Sequence, residues 1–248
     1  MFKEIKSLFS FLTIIPVSMD EDMLIDAAKS MFLFPIIGAF IGFLAGLFGW
    51  SASYFLNSLV VGALVLGFLL LITGLHHTDG LLDFGDGIMA HGSTERKIEI
   101  MHDQLTGAGG LSLGIVTFLV TAFSIAELCT GIIIQGLVVV EVSAKLSMVV
   151  GAWAGKAVHQ GTSSSFIEAM HGRKGTARLI AALAISFGIA IPLLWLAGTI
   201  TLLAAIMASL ILVKLSHRHF KGVTGDVLGA TNELVRMVSL ITLLAVIG

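Results

Sequence analysis

Charge is the scarcest property of this chain. Only 12% of its 248 residues are Asp, Glu, Lys or Arg, roughly half the share of an ordinary soluble domain. In water its helices would expose apolar faces that nothing covers, which excludes a soluble globular fold. Net charge is −2, so neither sign is in the excess that would point to a nucleic-acid partner. Cysteine is limited to Cys129. That rules out an intrachain disulfide and a cysteine-rich metal site, and Cys129 reads as filler near a helix end. No small-residue cleavage site follows an uninterrupted apolar core near the N-terminus, so a secretory signal is not expected. Internal repeats and low-complexity tracts are lacking too.

What is abundant is apolar. Hydrophobic residues make up 56% of the chain, and about 20 apolar residues suffice for a helix to cross a bilayer. Seven apolar stretches stand out, near 31–55, 59–75, 111–128, 132–155, 179–197, 200–215 and 234–247. The expected fold is therefore all-α: a polytopic integral membrane helix bundle of about seven spanning helices, forming one domain over 1–248. Residues 1–17 mix Lys3, Glu4 and Lys6 with Phe2, Ile5, Leu8, Phe9 and Leu12. That pattern suits a helix lying in the membrane interface, ended by Pro16. In the first span Gly38, Gly42 and Gly46 recur every four residues: either one helical face of glycines permits close helix approach, or the spacing reflects the chain's general richness in glycine, 28 residues in all.

Basic residues set the orientation. With the N-terminus in the cytoplasm, the loops near 76–110, 156–178 and 216–233 share its side, and the short opposite connections hold no Lys or Arg. The positive-inside rule then places the active end on the cytoplasmic face of the cell membrane. Arg173, Lys174, Arg178, Arg218 and Lys221 on that side serve as orientation signals or meet anionic groups.

The second span runs into Thr73-Gly-Leu-His-His-Thr-Asp-Gly-Leu-Leu-Asp-Phe-Gly-Asp-Gly87. Asp79, Asp83 and Asp86 sit at i, i+4 and i+7, so all three carboxylates point to one side of a helix. Bare carboxylates stacked in this way repel one another unless a cation sits among them. No Lys or Arg lies within eight residues of the trio, which weakens the alternative of a solvated acidic face. Oxygen ligands favour Mg²⁺ or Mn²⁺, with zinc second. His77 precedes the trio. Beyond it, residues 92–103 start as a helix capped by Ser or Thr, and a hairpin there would return Asp103 to the cluster. The amides around Gly107, Gly109 and Gly110 are candidates for a phosphate cradle, or for a merely flexible loop.

A second polar island covers Lys221 to Glu233. Thr224 and Asp226 are placed to cap the last helix or to meet a ligand, and Asn232 and Glu233 carry polarity into the span. Lys145 falls inside the fourth span, where an ionised lysine costs about 2.5–3.5 kcal/mol. Glu141, one turn earlier, is in the favourable order for an ion pair. The alternative is a charge serving a cavity.

These motifs resemble the cobalamin synthase family of adenosylcobinamide-GDP ribazoletransferases along nearly the whole chain. Phe11-Leu-Thr-Ile-Ile-Pro-Val17 and Phe34-Pro-Ile-Ile-Gly-Ala-Phe-Ile-Gly42 are similar to the family's opening. The most specific match is His77-Thr-Asp-Gly-Leu-Leu-Asp-Phe-Gly-Asp-Gly87. Glu99-Ile-Met-His-Asp-Gln-Leu-Thr-Gly-Ala-Gly-Gly110 and Val223-Thr-Gly-Asp-Val-Leu-Gly-Ala-Thr-Asn-Glu233 follow in order. Lys145 stands where many members carry arginine. The resemblance implies a membrane enzyme that joins α-ribazole, or its 5′-phosphate, to adenosylcobinamide-GDP and releases GMP. In that chemistry Mg²⁺ on Asp79, Asp83, Asp86 and Asp103 would neutralise the diphosphate. His77, Asp79 or Asp83 would act as the proton acceptor. Gly107, Lys145, Arg173, Thr224, Asp226 and Glu233 are the expected substrate contacts. Partners are then the two substrates and the lipid bilayer, with a homo-oligomer left open. Two rivals share the acidic run: a CDP-alcohol phosphotransferase acting on lipid, and a cation transporter using the aspartates as its ion site. The first lacks its later Gly-x-x-x-Asp-x-x-x-Asp pattern here. The second would place such groups at mid-membrane rather than at one end.

Overall fold

A computed structural model describes residues 2–14, 21–103, 105–128, 131–158 and 162–248; Pro16 and Cys129 lie outside the described residues. Every element is helical, and among the described residues the sole β-type pairing is a bridge between Ala157 and Val223. In chain order the helices are α1 (Phe2–Leu12), α2 (Glu21–Lys29), α3 (Phe34–Ala52), α4 (Ser58–Ile72), α5 (His76–Met89) and α6 (Thr94–Met101). They continue as α7 (Ala108–Leu128), α8 (Ile133–Ala154), α9 (Thr162–Ala169), α10 (Gly172–Phe220) and α11 (Gly225–Ile247). A 3-10 turn, Met31–Leu33, leads into α3.

α8 is the central post. Its residues are buried almost throughout, charged ones included, and α3, α10 and α11 pack around it. The glycine face of α3 works as the sequence predicts. A Cβ at Gly38 would stand 2.5 Å from the Glu141 carbonyl oxygen, and one at Gly42 2.4 Å from that of Leu137. Only glycine lets the two backbones touch. On the outside of the bundle, large apolar side chains such as Phe43, Leu119, Leu203 and Ile211 are exposed, as they are where lipid replaces water.

Five helices are long and apolar enough to cross a membrane, or six if the bent pair α4–α5 counts as one crossing. One of the five, α10, has 49 residues and leaves helical geometry at Leu194 (φ −137°) and Trp195 (φ 45°). Beyond that point the chain folds back, and a Cβ at Gly198 would meet the Ala190 carbonyl oxygen at 2.5 Å. Both ends of α10 return to the same end of α8. Trp153 Nε1 donates to Thr176 at 3.4 Å, and the Lys156 amide donates to His217 Nε2 at 3.3 Å. With α10 as two antiparallel arms, the seven apolar segments of the sequence are all present.

Two boundaries differ from the sequence expectation, and two short helices are additional to it. The α10 turn falls at 194–195 rather than at 198–199, because Gly198 is used for close packing instead. α11 begins at Gly225, well before the apolar run near 234, since buried partners on α8 satisfy its polar first half. α2 and α9 are short, and they pack together; neither has a run long enough to stand out. α1 is amphipathic as expected, with Leu8 and Leu12 buried. It is tied to the bundle by Phe11 stacked on Phe166 at 4.5 Å and by the Ile14 amide donating to the Ile72 carbonyl at 2.8 Å.

Candidate active site

One end of the bundle gathers the polar segments. α6 is fastened to the end of α10 by Lys97 Nζ and His219 Nδ1 at 2.9 Å and by Lys221 Nζ and Glu95 at 3.2 Å. The acidic helix reaches this end through a sharp bend. Gly74 (φ 66°) and Leu75 (φ 62°) are both left-handed, and α5 turns 97° away from α4. α5 therefore lies across the end of the bundle instead of lengthening the crossing. It buries His77, Gly80, Leu81, Phe84, Gly85 and Gly87. The other face carries Asp79, which is exposed, and the half-buried Asp83 and Asp86.

Gly80 decides what α5 meets. A Cβ there would stand 2.9 Å from the Asp226 Cα and 2.8 Å from its carbonyl oxygen, so α5 rests directly on the first turn of α11. That contact brings Asp226 to the aspartates. Burial, followed by the charges of Asp79, Asp226 and Asp86, pushes the Asp83 carboxyl up to about 7. The cluster is thus Asp79, Asp83, Asp86 and Asp226. Asp226, expected as a substrate contact, joins the aspartates, whereas Asp103 is not among the carboxylates whose charge acts on Asp83. Met101 packs inward on Gly87, His102 Nε2 stands 3.8 Å from Asp226, and Asp103 turns back to accept the Leu105 amide at 3.1 Å.

Asp86 has a second occupation. Its two oxygens accept the Gly107 amide at 2.6 Å and the Gly110 amide at 2.8 Å, so it caps the N-terminus of α7. Two of the three amides expected to cradle phosphate, those of Gly107 and Gly110, are taken by this carboxylate. Gly85, Gly109 and Gly110 interlock the backbones of α5 and α7, leaving a packed joint in place of a flexible loop.

The metal expectation can be tested on the donors. Among the described residues no three of His, Cys, Asp or Glu stand close enough to hold an ion by themselves. Mg²⁺, however, is usually bound by one or two carboxylates together with substrate phosphates and water. Asp79, Asp83 and Asp226 supply oxygen donors and an excess of negative charge that repels itself in the absence of a cation. The residues fit in charge and donor type, with Asp86 committed to α7.

Beneath α5 lies a buried polar network that the sequence shows only in part. Lys145 Nζ donates to Asn232 Oδ1 at 2.6 Å, and Asn232 Nδ2 donates to Glu233 Oε1 at 3.0 Å. Arg236 donates to Glu141 through Nε at 2.5 Å and through Nη2 at 3.2 Å, and its Nη1 donates to Glu233. All five side chains are buried. Glu141 thus takes Arg236 as its hydrogen-bonded partner, in place of the Lys145 suggested by spacing. Glu233, expected at the substrate, sits inside this network. Arg236 is the residue that sequence reading missed; its one signal is a position three residues after Glu233 in an apolar run.

His77 is 6% exposed and packs against Gly229 of α11. Its Nδ1 is buried and has no partner among the described residues. Thr224 is the N-cap of α11, accepting the Val227 amide at 3.3 Å. Arg173 is exposed in the first turn of α10, with no described contact to the aspartates.

A helical bundle with carboxylates gathered at one end over a buried cation defines a class: polytopic membrane proteins whose chemistry is confined to one face. Within it, the chain belongs to the cobalamin-5-phosphate synthase family, which it matches over residues 4–244. It is 33% identical to the adenosylcobinamide-GDP ribazoletransferase of Methanococcoides burtonii, covering 96% of this chain and 90% of that one. The enzyme of the same name from Methanosarcina mazei is also 33% identical, with 96% and 90% covered. That of Thermococcus kodakarensis is 31% identical, with 96% of each chain covered. No solved structure matches this chain.

Proposed function

We propose that this chain transfers adenosylcobinamide phosphate from adenosylcobinamide-GDP to α-ribazole or its 5′-phosphate, with release of GMP and completion of the cobalamin lower loop. The observation that carries the reading is the gathering of Asp79, Asp83 and Asp226 at one end of a bundle that matches the family over residues 4–244. In the reaction a ribazole hydroxyl attacks the phosphorus bearing the cobinamide arm, and the anhydride bond to GMP breaks. Mg²⁺ held by one or two of Asp79, Asp83 and Asp226, jointly with the substrate phosphates, would neutralise the diphosphate and the departing GMP.

Asp79 is the exposed member of the cluster, and we assign it the hydroxyl proton, because His77 is nearly sealed. His77 lies on the buried face of α5, packed against Gly229 of α11. Asp86 holds α7 against α5 and so fixes the angle at which the other carboxylates face the substrate. The active end lies on the cytoplasmic face of the cell membrane, the side favoured by the basic residues.

The test is a nucleotide-release assay on the purified chain with Mg²⁺. GMP should appear only when adenosylcobinamide-GDP and a ribazole acceptor are both present, and chelation of divalent ions by EDTA should stop it. Release of CMP from a CDP-alcohol, or no nucleotide release at all, would overturn the reading.

A further inference from the structure

The network under α5 is neutral in sum, since Glu141 and Glu233 balance Lys145 and Arg236, but it is polarised. The site lies at the C-terminal end of α8 and the N-terminal end of α11. Lys145 is therefore one turn nearer the site than Glu141, and Arg236 is one turn deeper than Asn232. Arg236 uses Nε, Nη1 and Nη2 to occupy both oxygens of Glu141 and one of Glu233. The remaining Glu233 oxygen is taken by Asn232 Nδ2. With the carboxylates gripped there, Lys145 is held by a neutral amide.

An ammonium group has three donors, and Asn232 Oδ1 is the one acceptor that Lys145 has among the described residues. On the side towards the site stands His77, buried, with an unpartnered Nδ1. Among the charges acting on that ring, Lys145 is first and Arg236 second. Gly38 of α3 closes over the lysine stem, so that a Cβ there would meet its Cγ at 2.9 Å. The stem is thereby confined.

We infer that Asn232 is a positioning residue for the transfer reaction: by holding Lys145 through an uncharged group, it keeps a full positive charge directed at the site from below. The inference rests on the proposed function for the identity of the anion, a nucleoside diphosphate group. Charges in a dry interior act over several ångströms, so Lys145 draws the diphosphate without touching it. The same charge opposes a divalent cation on the aspartates. An acidic residue at 232 would pair with the lysine and cancel this field.

Opposite effects on an anion and a cation are the signature that a merely structural role would not give. The measurements are equilibrium binding of GDP, and Mn²⁺ titration followed by electron paramagnetic resonance, both on the full detergent-solubilised chain without turnover. Two variants each change the local charge by −1 through different routes: Asn232→Asp adds an anion, and Lys145→Met with Asn232→Leu removes the cation together with its acceptor. Each should weaken GDP binding by ~10-fold, the scale of one charged interaction, and each should tighten Mn²⁺ binding by ~3-fold or more. Lys145→Arg should leave both near the parent values. If one of the two variants fails to fold, the other carries the test. Weakening of both ligands together, or change in neither, would overturn the inference. Absence of Mn²⁺ binding in the parent chain would count against the metal reading instead, and GDP binding would then decide on Asn232.

Discussion

At the scale of single residues, the acidic helix assigns different work to side chains of one chemistry. Asp83 has no hydrogen-bond partner among the described residues, and its neighbours Asp79, Asp226 and Asp86 all repel its charge. Asp83→Asn should therefore abolish GMP release, by a factor of ~10³ or more for loss of a charge at the reacting phosphates. It should leave the protein at least as heat-stable as the parent when divalent ions are removed. Asp86→Asn should behave differently. It replaces one of the two oxygens that hold Gly107 and Gly110 with an amide donor facing backbone N–H, and loss of such a cap costs about 0.5–2 kcal/mol. Thermal midpoints of the two variants in EDTA check the contrast; equal destabilisation by both would refute it. The one-sided spacing of the trio was legible in the sequence because it is local. The arrival of Asp226 was not, since it depends on α5 docking on a helix that begins 146 positions after Asp79. Gly80, which makes that docking possible, looks like any other of the 28 glycines.

Among elements, the most readable feature was the glycine face of α3, whose period alone predicts a close partner, though not which one. It meets α8. Gly42→Ala forces a methyl group to within 2.4 Å of the Leu137 carbonyl oxygen, and overpacking of this kind costs about 1–3 kcal/mol. Gly67 in α4 has nothing within 4 Å of its added Cβ, so Gly67→Ala should be neutral or stabilising. Thermal unfolding in detergent should separate the two, with the loss confined to Gly42→Ala. The α4–α5 bend was less legible. The glycine at 74 hints at a turn, but a left-handed Leu75 runs against its own preference. The position is imposed by α5 packing on α7 and α11. The fold-back of α10 was expected at a glycine and a threonine; the bundle instead uses Gly198 as a packing surface and turns at Leu194 and Trp195.

For the whole molecule, the apolar runs made the bundle legible, whereas the pairing of charges inside it is set between α8 and α11, up to 95 positions apart, where no sequence period reaches. The polarity of the bundle leads to a topological prediction. With Cys129 replaced, a cysteine at Ser93 should react with an impermeant thiol reagent only from the cytoplasm, and one at Ser58 only from outside; both positions are exposed. Labelling of position 93 in intact cells would invert the topology and move the site with it. The Glu141–Arg236 bond has a further consequence for how such a chain is made. Synthesis runs from N- to C-terminus, so α8 enters the insertion machinery while α11 is still unmade. During that interval Lys145, one helical turn away, is the cation that α8 itself offers Glu141. In the finished bundle Glu141 is bonded to Arg236 and Lys145 to Asn232, so both final partners come from the helix made last.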